Sequence, residues 1–221
     1  MNNIKTLFAF IVAITLSGCA SKSKPYDYTE YKNSDPRSVL VVPPINNSSE
    51  VIAPYSLLSN VVKPLSESGY YVFPVSLVDE TFKSNGLTVA QDIHAVPTQK
   101  LHEIFGADAG LYIDIKEYGT SYVVISSDTV VQVDAKLVDL ETGTLLWQGS
   151  ARAASSEQRS NSGGGLVGAL VSAALTQIIE TTTDAGFNVS VLATQRLLSA
   201  DMYNGILHGP RSPKYGQPVK L

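Results

Sequence analysis

The sequence contains one cysteine among 221 residues, few charged side chains and no excess of positive charge. A single cysteine excludes an internal disulfide and a cysteine-rich metal site, so a hydrophobic core must hold the fold together. The 16 Lys and Arg residues are outnumbered by 20 Asp and Glu residues, which leaves no electrostatic basis for nucleic-acid binding. The hydrophobic fraction of 44% excludes a disordered or collagen-like chain and indicates one or two compact domains.

The N-terminal apolar run, residues 7–16, is too short to span a bilayer as a stable anchor. It follows a short basic stretch that ends at Lys5 and precedes Ser17-Gly18-Cys19, an arrangement typical of an export signal. This segment resembles the bacterial lipobox, in which cleavage leaves the cysteine as an acylated first residue. A buried structural cysteine is the weaker alternative. We therefore expect residues 1–18 to be a signal peptide and Cys19 to carry the lipid.

Three acyl chains on Cys19 would bind a membrane far more strongly than one chain does. Ala20 follows the cysteine. The resemblance to enterobacterial lipoproteins implies sorting to the outer membrane, because an Asp at this position would be the usual signal for retention at the inner membrane. The expected partner of Cys19 is outer-membrane lipid, and the expected location is the periplasmic face of that membrane.

The segment that follows the lipobox is polar and has neither helical nor strand periodicity. We expect residues 19–36 to be the lipidated N-terminus and a flexible tether. Tyrosines 26, 28 and 31 could dock on a partner, but incidental aromatic residues in a linker are the favoured interpretation. Fully extended, residues 21–36 would reach at most about 55 Å.

The globular part begins with residues 38–42, a continuous apolar run typical of a strand buried on both faces. Apolar residues recur at helical spacing over 54–65, although Pro64 should kink or end that helix. Residues 70–74 indicate a second strand. The order strand, helix, strand predicts a parallel βαβ unit.

The second half has a different pattern, because apolar and polar residues alternate over 109–118 and 129–137. This alternation predicts half-exposed antiparallel strands. A third strand over 145–153 closes a hairpin and turns Trp147 inward. The other predicted elements are helices over 77–83 and 97–105, a low-complexity loop over 155–165, helices over 166–179 and 186–199, and an irregular tail over 201–221.

Four stretches carry a family resemblance: residues 69–75, 85–88, 105–109 and 137–147. Together with the lipobox they resemble an uncharacterised family of Gram-negative lipoproteins, to which the meningococcal lipoprotein vaccine antigens belong. The resemblance implies a three-layer α/β domain over residues 37–200, a mixed β-sheet with flanking helices similar to the TolB amino-terminal domain. It also implies kinship with the curli secretion lipoprotein CsgG and the penicillin-binding-protein activator lipoproteins. No catalytic residues come with the family.

The residues that carry chemistry do not converge on a site in the sequence. His94, His102 and His208 are far apart, so no metal is predicted. The glycines of 162–165 lack the Lys-Ser/Thr end of a phosphate loop. Several aspartates fall on or beside the predicted strands, but no acid, base or nucleophile supports them as a catalytic pair; they are Asp108, Asp114, Asp128, Asp134 and Asp139. We therefore predict no catalytic residue, no cofactor and no enzyme.

The predicted helix over 166–179 is almost free of charge and carries small residues at a spacing of four. They form two rows; these are Gly164, Gly168 and Ser172, and Gly165, Ala169 and Ala173. A buried core helix is the favoured interpretation, and a contact with a second copy of the chain is the main alternative. Membrane insertion is a minor alternative, because the helix is shorter than the roughly 20 residues that span a bilayer.

These observations predict a non-enzymatic lipoprotein that assists assembly or secretion in an envelope complex. The alternative is a regulator that docks on a peptidoglycan synthase. A reach of about 55 Å is short for an inner-membrane synthase beyond the peptidoglycan, so a protein partner near the outer membrane is favoured.

The lipobox generates the first testable prediction. Replacing the acylated residue, Cys19→Ala, should prevent acylation and release the protein from the outer-membrane fraction, because the acyl chains supply its membrane affinity. Fractionation and detergent partitioning measure the effect, with the wild-type protein as control. A variant that stays in the membrane fraction with wild-type partitioning would contradict lipid tethering.

Overall fold

The computed structural model describes residues 25–123, 126–160 and 185–217, and in them a mixed sheet is flanked by helices. The strands are β1 (Ser38–Val41), β2 (Ile45–Asn46), β3 (Tyr71–Val72), β4 (Ala109–Val123), β5 (Ser126–Asp139) and β6 (Leu145–Ala154). The helices are α1 (Thr29–Ser34), α2 (Ala53–Glu67), α3 (Val75–Ser84), α4 (Ala90–His94), α5 (Thr98–Phe105), α6 (Ser155–Ser160) and α7 (Ala185–Leu198).

The sheet has the strand order β3-β1-β4-β5-β6, and β2 also pairs with β4. Strand β1 is parallel to β3 and β4, whereas β5 is antiparallel to both of its neighbours, β4 and β6. The predicted α/β class, a mixed sheet with flanking helices, is confirmed. The TolB-like label stays a prediction.

Alternating side chains of β1 enter two separate cores on opposite faces of the sheet. Val39 and Val41 lie on the face that α2 and α7 cover, which we call the inner face. Leu40 and Val42 lie on the outer face among side chains of α3, α4 and α5. Because successive strand residues point to opposite faces, an unbroken apolar run is the pattern that a doubly covered strand requires. The predicted burial of this strand on both faces is confirmed.

Helix α2 connects β1 to the parallel strand β3, so the predicted βαβ unit is confirmed. The expectation that Pro64 would end the helix early is wrong, because α2 continues to Glu67; the expected kink stays a prediction. Proline removes one helical hydrogen bond. The apolar face of α2, with Leu57, Val61 and Leu65 at most 1% exposed, packs on the sheet and outweighs that loss.

Two local features were not predicted. The pairing of β4 with β5 shifts between Ile115 and Glu117. Before the shift the odd-numbered residues Ile113 and Ile115 point to the inner core, and after it the even-numbered Tyr118 does.

The predicted loop over 155–165 is wrong in its first part, which forms α6. The carboxylate of Asp128 accepts hydrogen bonds from the backbone N–H and hydroxyl of Ser156, and this pairing starts the helix.

The predicted helix over 166–179 with its small-residue rows lies outside the described residues, and so does Cys19. Among the described residues, no helix is both long and apolar enough to cross a membrane.

Trp147 faces the inner core, as predicted, and is 1% exposed. Its indole ring lies over Gly149 two residues along β6, where any Cβ would overlap the ring. The indole N–H donates to the carbonyl of Asn204 at 2.9 Å, so the buried polar atom is satisfied. Trp147 thus joins the sheet to the C-terminal segment.

Trp147→Ala should lower the free energy of unfolding by about 3 to 5 kcal/mol, because it removes a large buried ring and leaves a cavity. The matched control is Tyr55→Ala, since Tyr55 is 58% exposed and its loss should change stability little. Chemical denaturation followed by circular dichroism measures both. Equal midpoints for the two variants would contradict the packing described here.

Candidate functional site

The N-terminal segment packs into the inner core instead of forming a free tether. Tyr28 is 6% exposed and Tyr31 is 2% exposed, and both belong to the same core as the inner face of the sheet. Tyr31 lies in α1. The prediction of a flexible linker over residues 19–36 is therefore wrong for its described part, because buried aromatic rings fix residues 25–36 to the domain.

The partner of this segment is the C-terminal segment, and we call the contact of residues 25–35 with residues 201–215 the terminal clasp. The backbone N–H of Tyr26 donates to the side-chain oxygen of Asn204 at 3.2 Å. The Tyr28 hydroxyl donates to the Gly205 carbonyl at 2.6 Å. At the far end, the Tyr215 hydroxyl donates to the carboxylate of Asp35 at 2.7 Å. The two ends of the described chain are thus joined along their length.

A chain of three groups lies at the centre of the terminal clasp. Tyr70 directly precedes β3, and its hydroxyl donates to the Leu207 carbonyl at 2.7 Å. The Tyr70 oxygen therefore accepts the proton of Tyr31, 2.8 Å away. Burial raises the pKa of both hydroxyls well above the usual tyrosine value, and it raises the pKa of Tyr28 to about 12.

Two glycines let the C-terminal segment approach the end of α2. The backbone N–H of Gly209 donates to the Ser68 carbonyl at 2.8 Å. A Cβ on Gly209 would lie 2.8 Å from the Gly69 carbonyl oxygen, and a Cβ on Gly69 would overlap the backbone of Ser212. Gly69 also has a φ of 96°, which other residues rarely adopt. The predicted irregular tail is thus partly buried structure.

The clasp brings together a serine, a histidine and an aspartate. His208 Nδ1 lies 3.1 Å from Ser212 Oγ, and its Nε2 lies 3.5 Å from the Asp201 carboxylate. A hydrolytic triad needs an accessible serine. Ser212 is instead 9% exposed and also accepts the backbone N–H of Lys214, whose ammonium pairs with Asp201 at 2.6 Å. These bonds therefore connect residues within the C-terminal segment to one another.

The other candidate surface is the outer face of β4, β5 and β6, which within the described part of the chain forms an open basin of about 620 Å³. Asp114 and Asp134 lie directly opposite each other on β4 and β5. Lys116 Nζ is 3.2 Å from Asp114 and 3.8 Å from Asp134, and Ser150 donates to Asp134 at 2.6 Å. The carboxylates are paired with a cation, and the surface suits polar contact with a partner.

The wall of this basin is aromatic. His94 stands edge-on to Tyr112, with ring centroids 5.2 Å apart, and its Nε2 donates to the Pro43 carbonyl at 2.9 Å. Burial lowers the pKa of His94, and the bond to Pro43 opposes that change. The Tyr112 hydroxyl is buried without a hydrogen-bond partner in the described structure, so its ability to donate and accept hydrogen bonds is unused.

Three further candidates from the sequence, Asp108, Asp139 and His102, line one smaller cavity of about 250 Å³ away from the basin, and each is bonded to backbone groups. Asp108 accepts the backbone N–H groups of Arg37 and Ser38, both at 2.9 Å. Asp139 accepts those of Glu141 and Thr142 in the turn before β6. His102 donates to the carbonyl of Ala107. Within residues 25–123, 126–160 and 185–217, no group of three His, Cys, Asp or Glu side chains is arranged to hold a metal ion.

The chain belongs to the family described as "Putative lipoprotein GNA1162-like", which it matches over residues 26–211. The match covers residues 26–211, so it includes most of the terminal clasp but not Tyr215. A Neisseria meningitidis serogroup B protein named "Putative lipoprotein NMB1124/NMB1162" is 50% identical over 206 residues, which are 93% of this chain and 95% of that protein. The predicted membership of this lipoprotein family is confirmed.

Solved structures extend the comparison. The crystal structure of lipoprotein GNA1162 from Neisseria meningitidis has 52% sequence identity and a TM-score of 0.54, and the match covers 66% of this chain and all of that one. The PelC dodecamer from Paraburkholderia phytofirmans has 17% identity and a TM-score of 0.39, with 54% of this chain and 72% of that chain covered. A likeness as weak as the second says nothing about function.

The buried tyrosines predict alkaline sensitivity. Their native pKa values are raised above the ordinary value of 10.0, so the unfolded chain ionises first. The stabilisation that these protonated tyrosines contribute to the folded state should be fully present below pH 10 and be lost as the pH rises through about 12. Denaturant titrations over this range should show a falling midpoint, and part of the tyrosinate absorbance should appear only on unfolding.

Tyr28→Phe should reduce this pH dependence and lower the free energy of unfolding at neutral pH by about 1 kcal/mol, because the Gly205 carbonyl loses its donor. Tyr203→Phe is the matched control, since Tyr203 is 46% exposed. A folded protein in which every tyrosine ionises near pH 10 would show that the clasp hydroxyls are accessible.

Proposed function

We propose that this protein is a non-enzymatic, lipid-anchored accessory component of an envelope or secretion assembly at the periplasmic face of the outer membrane. Acylated Cys19 would hold it on outer-membrane lipid. The domain would then bind protein partners at that membrane. Family membership supports a lipoprotein, and the terminal clasp supports a binding role close to the membrane.

The observation that carries this proposal is the position of Tyr26 in the terminal clasp. The backbone of Tyr26 is bonded to Asn204, so the chain is fixed from this point onward. Only six residue steps separate Cys19 from Pro25. At 3.3 to 3.6 Å per residue, they span at most about 20 Å. This limit replaces the reach of about 55 Å expected from the sequence.

The short reach bears on the alternative, a regulator that docks on a peptidoglycan synthase. A partner held by the inner membrane lies beyond the peptidoglycan, and a short tether restricts access to it. The length of the domain would then have to bridge the remaining distance to that partner. Its strand β4, of 15 residues, spans about 50 Å. The reach therefore favours a partner at the outer membrane.

Two surfaces are offered to partners in this proposal. The first is the polar basin around Asp114 and Asp134. The second is the pair of small-residue rows over residues 164–173, which would let a second copy of the chain approach closely. A homo-oligomer through these rows is thus one form of the proposed assembly.

The test is crosslinking in intact envelopes with a photoreactive residue in place of Lys136, on the basin, followed by purification and fractionation. The same residue in place of Lys63 on α2 is the control, because Lys63 is exposed away from the basin. Capture of an outer-membrane or periplasmic protein from the basin alone would support the proposal. Capture of an inner-membrane synthase from the basin would overturn it in favour of the alternative.

Gly168→Leu tests the self-assembly form on the lipid-free protein. A larger side chain should block close approach and leave a folded monomer, because packed interfaces tolerate added volume poorly. Light scattering reports the oligomer and thermal melting reports the fold. Loss of an oligomer at constant melting temperature would support assembly, whereas a lower melting temperature would indicate a core helix. A wild-type monomer at every concentration would exclude self-assembly.

A further inference from the structure

The terminal clasp fixes where the lipid-bearing end of the chain leaves the domain. Tyr26 is bonded to Asn204, and Tyr203 beside it is 46% exposed. Tyr215, which is 48% exposed, and the Lys214–Asp201 pair lie on the same C-terminal segment. We call the surface of residues 25–27, 201–204 and 213–217 the exit surface.

The exit surface lies at one end of the sheet. Asp35, which binds Tyr215, directly precedes the segment that enters β1. The hydroxyl of Ser34 donates to the carboxylate of Asp139, the last residue of β5. Asp139 lies opposite Ala109, the first residue of β4. From Ala109, β4 runs away for 15 residues, or about 50 Å.

The far end is marked by Val51, which is 83% exposed. Its neighbour Glu50 lies against Gly119, ten residues along β4 from Ala109 and about 30 Å away from it. An acylated Cys19 within about 20 Å of Pro25 would hold the exit surface, and not this end, next to the bilayer.

We propose that the exit surface lies against the lipid headgroups of the membrane that holds Cys19, with the sheet pointing away from it. This inference rests on the proposed lipid anchor. Tyrosines are favoured at a membrane interface because the ring is apolar and the hydroxyl polar, and Tyr203 and Tyr215 supply two.

The experiment uses the full-length acylated protein in vesicles of phosphatidylethanolamine and phosphatidylglycerol that carry a spin label on the headgroup. Because acylation consumes the thiol of Cys19, an engineered cysteine is the single site for a fluorophore. Tyr203→Cys places the fluorophore on the exit surface, and Val51→Cys is the matched exposed control at the far end. We expect the spin label to quench the fluorophore at position 203 and to leave that at position 51 bright.

Equal quenching at the two positions, or stronger quenching at position 51, would overturn the proposed orientation. Vesicle flotation keeps this result separate from the anchor itself. If both labelled proteins float with the vesicles, the anchor stands and the quenching pattern decides the orientation alone. If neither protein floats and mass spectrometry shows no acyl chains, the anchor and the orientation both fail.

Discussion

The burial of the Tyr70 hydroxyl is the constraint on which the terminal clasp depends. A buried phenol must find partners for its proton and its oxygen, because an unpaired polar group in a core is strongly unfavourable. Tyr70 gives its proton to Leu207 and receives that of Tyr31, so one side chain of the βαβ unit requires both chain ends. The inner core is therefore complete only when residues 25–31 and 204–209 are in place, and the folded unit is larger than the predicted domain over residues 37–200.

This constraint also links the fold to the anchor. A domain that ended at its first strand would leave a long linker after Cys19. The clasp instead fixes residues 25–36 of that linker to the domain through buried Tyr28 and Tyr31, so the free length is short and the point of exit is defined beside Asn204. Lipidation would then hold the domain near the membrane as well as prevent its release. Under the proposed anchoring, the membrane would become part of the geometry in which a partner binds.

The elements whose pattern is local could be predicted from the sequence. The apolar run over 38–42, the alternation in β4 and β5 and the inward position of Trp147 depend on a strand's period of two. Helix α1, the clasp and the continuation of α2 past Pro64 could not, because each depends on contacts between distant parts of the chain. The available signal was three tyrosines among the six consecutive residues 26–31, and composition alone did not distinguish anchoring residues from linker residues. Within the candidate site, Asp114 and Asp134 were singled out but the role of Tyr112 was not.

The two halves of the sheet offer different possibilities for binding. In the parallel half, helices on both faces bury the side chains of Val39, Leu40 and Val41 in β1, and these side chains serve only the core. In the antiparallel half, the inner face is packed while the outer face carries charged and polar side chains, as one-sided antiparallel sheets do. Tyr112 lies where the two halves meet, with its hydroxyl buried and unpaired in the described structure. A partner that binds the basin can contact the polar strand surface directly, whereas helices cover much of the parallel half, where Tyr71 of the edge strand β3 is 43% exposed. The antiparallel half is therefore the side of the domain best suited to recognition.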